Sequence, residues 1–246
     1  MARSQSGPSL SERPPLGGGP RRGAPCPRQV AAAARAALAA GASGVHLHPR
    51  GGDGQETLDV ARVGPAVRAV RRACPGPPIG VSTGLWMCGK DAAARQTAVR
   101  RWAVAGDRPD FASVNLSEPG FEGMAETLGT LGIGVEAGVW SERDAADLLD
   151  STHMTSCTRV LVELLNLPVP QALHIADRIV DQLRRAGRTV PTPLHGEDVS
   201  TWPVLDKATV MGLETRIGLE DTLTDPSGNV VTDNGTLVRI ALSRVT

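Results

Sequence analysis

The feature that most constrains the fold is a regular alternation of helix-like and strand-like segments from residue 27 onward. Helices are predicted over 27–40, 59–73, 90–103, 120–131, 141–149, 170–186, 200–211 and 234–244, and strands over 43–48, 78–82, 110–116, 132–137, 159–163, 190–195 and 215–219. Strands that alternate with helices of this length indicate a parallel sheet. Near-continuous apolar runs such as Ile79-Gly80-Val81 indicate strands buried on both faces.

This pattern predicts an α/β fold, a (β/α)8 TIM barrel with a degenerate or missing first strand. The 246 residues suffice for such a barrel, which takes about 250. A helix precedes the first visible strand, so any first strand must lie within residues 1–26. Those residues are rich in Gly and Pro and are expected to be irregular or disordered, whereas 27–246 form the TIM-barrel catalytic domain. An open doubly wound sheet is the alternative.

Composition argues against several classes of partner. Lys plus Arg and Asp plus Glu both number 26, and aromatic residues make up 2% of the chain. We therefore expect neither a nucleic-acid nor a membrane partner. The four cysteines form no Cys-x-x-Cys motif and no long apolar run is present, which favours free thiols in a cytoplasmic protein.

Two histidines mark the end of the first predicted strand. His46 and His48 lie on the same strand face because side chains alternate along a strand. In barrels and open α/β sheets, the chemistry lies beyond the carboxyl ends of the strands. The pair is therefore a candidate set of metal ligands, although an ordinary polar strand end would show the same pattern.

Glu220, after the last predicted strand, is the candidate third ligand. Two imidazoles and one carboxylate with open positions are typical of catalytic zinc, and the same set suits Fe(II) or Mn(II). The alternative is an ion pair between Arg216 and Glu220 that seals one end of the barrel.

Further polar residues end the other predicted strands. Arg216 offers a planar fork for a substrate carboxylate, and Asp221 is a candidate base. Ser82 and Thr83 offer hydroxyls to substrate oxygens, although taken in isolation such residues more often belong to a turn or helix cap. Other strand-end polar residues are Asn115, Glu136, Glu163, His195 and Glu197.

Six segments together resemble the β-keto acid cleavage enzymes. They are His46-Leu47-His48-Pro49-Arg50, Gly80-Val81-Ser82-Thr83-Gly84, 112–118, Gly134-Val135-Glu136-Ala137-Gly138, His195-Gly196-Glu197-Asp198 and Arg216-Ile217-Gly218-Leu219-Glu220-Asp221. The resemblance covers residues 27–246. It departs from the family at residues 1–24, where an apolar strand ending in a carboxylate is expected.

The resemblance implies a zinc-dependent TIM barrel that exchanges acyl groups between a β-keto acid and acetyl-CoA, giving acetoacetate and an acyl-CoA. It implies an acyltransferase with Zn²⁺ as cofactor and, as partners, a β-keto acid, acetyl-CoA and further copies of the chain. By the resemblance, His46, His48 and Glu220 would bind the metal, and Ser82, Glu136, Arg216 and Asp221 would lie around the substrate. Together with the strand-end analysis, this predicts Asp221, Arg216 and Glu136 as catalytic residues and Ser82, Thr83 and Asn115 as substrate-binding residues. Two alternatives remain: another metal-dependent barrel hydrolase or aldolase, and an inactive paralogue with a non-catalytic role.

Overall fold

The computed structural model describes residues 6–7, 25–187 and 190–245. Its strands are β1 Ser6–Gly7, β2 Val45–Leu47, β3 Ile79–Ser82, β4 Phe111–Asn115, β5 Gly134–Val139, β6 Cys157–Leu164, β7 Leu194–Gly196 and β8 Thr215–Arg216. Its α-helices are α1 Pro27–Ala39, α2 Val60–Ala73, α3 Ala92–Arg100, α4 Phe121–Thr130, α5 Glu142–Asp150, α6 Val169–Arg185, α7 Thr201–Met211 and α8 Asn234–Arg244.

The strands are parallel and follow one another around the sheet in chain order. Strands β2 to β7 form a six-stranded sheet, and β1 pairs with β8 in a second one. Strand β8 lies beside β7, because the Leu194 amide donates to the Glu214 carbonyl at 2.9 Å. This order has no reversal, so the barrel prediction is confirmed, and the doubly wound alternative, which requires a reversal, does not apply.

Helix α1 bridges its neighbouring helices at a place where the described residues form no strand pairing around the barrel. Between β1 and β2 the described residues form no strand pairing, yet α1 contacts both α2 and α8. The contact with α8 is close: a Cβ on Gly235 would lie 3.1 Å from the Ala36 carbonyl oxygen. A cluster that includes Ala37, Leu237 and Val238 fills this contact.

The predicted helices are confirmed to within about three residues at their ends, because their caps are readable from the sequence. Asp59, Asp91, Ser141 and Asp233 each cap a helix by accepting a backbone N–H in its first turn. The prediction for 90–103 differs, since α3 ends at Arg100 and a 3-10 turn follows. No helix in the described part of the chain is long and apolar enough to span a membrane.

Two strand predictions are too long. The last strand has two residues, Thr215–Arg216, instead of the five in 215–219, and β7 begins at Leu194 instead of residue 190. The barrel strand that was predicted to be degenerate or missing within residues 1–26 is the two-residue strand Ser6–Gly7, which pairs with β8. The expectation that 1–26 is irregular otherwise falls outside the described residues, apart from 25–26, and stays a prediction.

Trp102 joins the 3-10 turn after α3 to the main core. Its ring is fully buried, and Nε1 donates to the Leu58 carbonyl at 2.9 Å.

Trp102→Ala should lower the free energy of unfolding by about 3–5 kcal/mol, because it opens a cavity and removes a donor. Urea unfolding measures the change. Val104→Ala, at a side chain that is 82% exposed, is the control and should change it by no more than about 0.5 kcal/mol. A loss below about 1 kcal/mol in Trp102→Ala would contradict this packing role.

Candidate active site

A cavity of about 540 Å³ opens at the carboxyl ends of the strands. Parallel strands bring their carboxyl ends to the same edge of a sheet, so residues far apart in sequence meet there. Seven of the nine predicted site residues line this cavity: His46, His48, Ser82, Asn115, Arg216, Glu220 and Asp221.

The two histidines and Glu220 lie together, as the sequence predicts. The ring centroids of His46 and His48 are 5.1 Å apart, and His48 Nε2 lies 3.0 Å from Glu220 Oε2. That short contact lacks the alignment of a hydrogen bond at Nε2, and His46 Nδ1 is buried with no hydrogen-bond partner among the described residues. Neither His46 Nδ1 nor His48 Nε2 is therefore engaged in a hydrogen bond with the described residues.

The donor chemistry of these three side chains fits zinc. Two imidazoles and a carboxylate are among the ligand sets of catalytic zinc. As the side chains stand, no group of three or more His, Cys, Asp or Glu within the described ranges could hold a metal ion. His48 and Glu220 instead contact each other directly, so a bound ion would have to separate them.

Burial and charge set opposite protonation preferences for the two histidines. Burial, with Arg216 and His48 nearby, holds the pKa of His46 well below its usual value, so His46 is neutral. Burial also lowers the pKa of His48, but the carboxylates of Glu220 and Glu56 outweigh it and raise that pKa to about 10. His48 must therefore lose a proton before it can bind a metal.

Arg216 makes the ion pair that the sequence left open as an alternative. Its Nη2 donates to Glu220 Oε1 at 2.7 Å and lies 3.5 Å from Glu163 Oε1. Because Oε1 faces Arg216 and Oε2 faces His48, the ion pair does not exclude a ligand role for Glu220. Arg216 Nε is buried without an acceptor among the described residues.

Asp221 is buried beside a histidine that the predicted site did not include. Its Oδ1 lies 3.3 Å from His195 Nδ1, and His195 Nε2 lies 3.0 Å from Glu163 Oε1. Burial raises the pKa of Asp221, although the charges of His195 and Arg216 oppose it. A carboxylate with a raised pKa is a stronger base when ionised.

The predicted oxygen-binding residues separate into two groups. Ser82 and Asn115 line the cavity, and Asn115 has room because its register partner in β5 is Gly138, where a Cβ would lie 2.3 Å from Asn115 Oδ1. Thr83 has no exposed surface, and its hydroxyl donates to the Ser113 carbonyl at 2.6 Å. The structure thus gives Thr83 a structural contact.

Glu136 lies outside the large cavity. It lines a smaller one of about 30 Å³ inside the barrel, with Oε1 3.8 Å from His46 Nδ1 and Oε2 3.5 Å from Arg159 Nη1. Burial raises the pKa of Glu136, although Arg159 and Arg216 oppose it. Glu136 is therefore placed to contact His46 rather than a molecule in the large cavity.

The lining residues that were not predicted as site residues include Glu56, Trp86, Glu163 and His195. Glu163 and His195 were noticed only as polar strand ends, although Glu163 follows a buried apolar run. Glu56 and Trp86 lie in connecting segments, and the Trp86 indole donates to Glu56 Oε2 at 3.0 Å. No periodic pattern marks loop residues, so only their proximity in the fold reveals them.

A comparison with protein families shows to which family the chain belongs. The model of the beta-keto acid cleavage enzyme family matches residues 25–164 and 149–245. The chain belongs to this family. It is 26% identical over 228 residues to the 3-keto-5-aminohexanoate cleavage enzyme of Fusobacterium nucleatum, an alignment that covers 85% of this chain and 79% of that enzyme. The resemblance inferred from the sequence motifs is therefore confirmed.

Solved structures share the fold. The apo structure of ObcA superposes with a TM-score of 0.72 at 16% identity over 89% of this chain, which spans 60% of the ObcA chain. A ternary complex of ObcA with a C4-CoA adduct and oxalate gives 0.70, also at 16% identity, covering 89% of this chain and 63% of that one. The 3-dehydroquinate dehydratase of Geobacillus kaustophilus gives 0.57 at 11% identity, covering 89% and 86%.

The different environments of Ser82 and Thr83 give a direct test. Thr83→Val keeps the side-chain shape but removes the hydrogen bond to Ser113, so the free energy of unfolding should fall by about 1 kcal/mol. Thr83→Ser keeps the hydroxyl and is the matched control. Urea unfolding measures both variants. Equal stability of Thr83→Val and the unmodified chain would show that this hydroxyl has no structural role.

Proposed function

We propose that this family member is a zinc-dependent acyltransferase acting on a β-keto acid and acetyl-CoA. The acetyl group moves from the CoA thiol to the carbon between the ketone and the carboxylate of the keto acid. The remaining acyl group moves from that carbon to the thiol, so the products are acetoacetate and a new acyl-CoA. The observation that carries the proposal is the 3.0 Å approach of His48 Nε2 to Glu220 Oε2, with His46 beside them.

His46, His48 and Glu220 would hold the zinc ion. When bound, zinc would supply a Lewis acid that polarises the substrate ketone. The charges of the surrounding side chains support a cation here, because carboxylates outnumber guanidinium groups in the cavity lining, which includes Glu56, Glu163, Glu197, Glu220 and Asp221 with Arg50 and Arg216. Once His48 has lost its proton, the net negative charge of this group favours a divalent cation.

Arg216 and Asp221 would act on the keto acid. Arg216 Nε, buried without an acceptor in the described part of the chain, is available to a substrate carboxylate. Asp221 Oδ2 is also buried without a hydrogen-bond donor there, so it can accept the proton from the carbon next to the ketone. Ser82 and Asn115 would bind the remaining oxygens.

The relatives support the substrate class. A 3-keto-5-aminohexanoate cleavage enzyme takes its name from a keto acid, and ObcA has been solved with oxaloacetate and with a C4-CoA adduct. We extend this to the present chain and propose that it uses a CoA ester in the same cavity. A screen of β-keto acids with acetyl-CoA, with liberated acetoacetate as the readout, tests the reaction. Turnover without CoA would indicate a hydrolase or aldolase instead.

The metal ligands are tested by substitution. His46→Ala and His48→Ala should each remove most of the zinc that copurifies with the chain, together with most activity, because each removes one of three ligands. His174→Ala, at an exposed position on α6, is the matched control and should retain both. Elemental analysis measures zinc, and circular dichroism checks the fold. Full zinc occupancy in both ligand variants would contradict the proposed site.

Arg216 is tested by a change that keeps its charge. Arg216→Lys should raise KM for the keto acid roughly 10- to 100-fold, since a point charge cannot replace the planar fork and a hydrogen bond to a charged group contributes about 1.5–3 kcal/mol. Arg239→Lys, at an exposed position on α8, is the control. Zinc content is measured in parallel because Arg216 also contacts Glu220. An unchanged KM would show that Arg216 serves the ion pair alone.

A further inference from the structure

The loop after β2 returns to the metal-ligand candidate from which it starts. Arg50 and Glu56 form an antiparallel bridge, and the Gly51 amide donates to the Gln55 carbonyl at 2.7 Å. At the tip, Gly54 has a positive φ of 81°, which glycine adopts without strain. The loop is therefore a closed hairpin, and it carries Glu56 back beside His48.

Glu56 contacts His48 on the side away from Glu220. Glu56 Oε2 lies 3.0 Å from His48 Nδ1, whereas Glu220 Oε2 lies 3.0 Å from His48 Nε2. Glu56 is itself held in place: the Trp86 indole donates to Oε2 at 3.0 Å, and Arg50 Nη2 donates to Oε1 at 3.4 Å. With a side chain only 16% exposed, Glu56 is part of the wall of the site.

This contact determines which ring nitrogen of His48 can bind a metal. Carboxylates face both ring nitrogens, but only the contact between Nδ1 and Glu56 has the geometry of a hydrogen bond, whereas Nε2 makes none among the described residues. A carboxylate accepts but does not donate, so the hydrogen of a singly protonated His48 is favoured on Nδ1, facing Glu56. The lone pair is then on Nε2, which faces the cavity and Glu220. In metalloproteins, a carboxylate on the far side of a ligating imidazole fixes the ring and its tautomer in this way.

We propose that Glu56 is a positioning residue that orients His48 for metal binding, and that Trp86 holds Glu56 in place. This inference rests on the proposed zinc site. It adds a loop residue and an indole to that site, and neither of them would be a ligand of the ion.

Zinc affinity is the decisive readout, because a purely structural role would not change it. Competition with a chelator measures the Kd of the metal-free chain for zinc. Glu56→Ala should weaken binding about 10- to 100-fold, the usual effect of losing such a partner. Glu56→Gln keeps an acceptor oxygen but loses the charge, so its loss should be smaller. Trp86→Phe removes only the indole donor and should have the smallest effect.

Controls separate this inference from the proposed function. Glu126→Gln, at an exposed position on α4, should bind zinc like the unmodified chain, and thermal unfolding shows whether each variant is folded. Zinc lost in His48→Ala but unchanged in both folded Glu56 variants would overturn the role of Glu56 and leave the zinc site standing. No zinc binding by the unmodified chain would overturn both.

Discussion

A chain of side chains with alternating charge crosses the mouth of the barrel, and the geometry of the site depends on it. Each basic group lies between two carboxylates, with closest contacts of 2.7–3.5 Å, in the order Glu56, His48, Glu220, Arg216, Glu163, His195 and Asp221. Buried charges cost several kcal/mol each unless they are paired. Loss of any member therefore exposes its neighbours to that cost, which explains why the side chains are held so closely.

The direction of the strands makes this chain of contacts possible. Its members come from or follow β2, β6, β7 and β8, which are separated by helices in the sequence. Parallel strands in chain order bring all their carboxyl ends to one rim, and α1 packs between α2 and α8 where the described residues form no pairing between β1 and β2. The fold thus brings together groups that no local segment could assemble.

The sequence predicts the fold and the centre of the site better than the periphery. Alternating apolar runs and cap residues such as Asp59 and Asp233 reflect local physics, so the helices and the barrel were predictable. The position of His46, His48, Arg216 and Glu220 at the mouth of the barrel was predictable because each lies at or just after the end of a strand, and their roles stay predictions.

Other residues depend on contacts that spacing does not encode. Ser82 and Thr83 are adjacent and chemically alike, and only the hydrogen bond to the Ser113 carbonyl distinguishes their environments. Glu136 has the right spacing but lies one layer deeper in the barrel. Glu56 reaches His48 only because the hairpin after β2 closes. No hydrophobic periodicity in the sequence predicts that hairpin.

Two of the four tryptophans in the chain belong to matching arrangements on the cavity wall. Trp86 donates to Glu56, which contacts His48, and Trp140 donates to Glu163 at 2.6 Å, which contacts His195. In both, an indole is joined through one carboxylate to an imidazole that faces the cavity. A change in the charge of either imidazole therefore alters the electrostatic surroundings of an indole two contacts away.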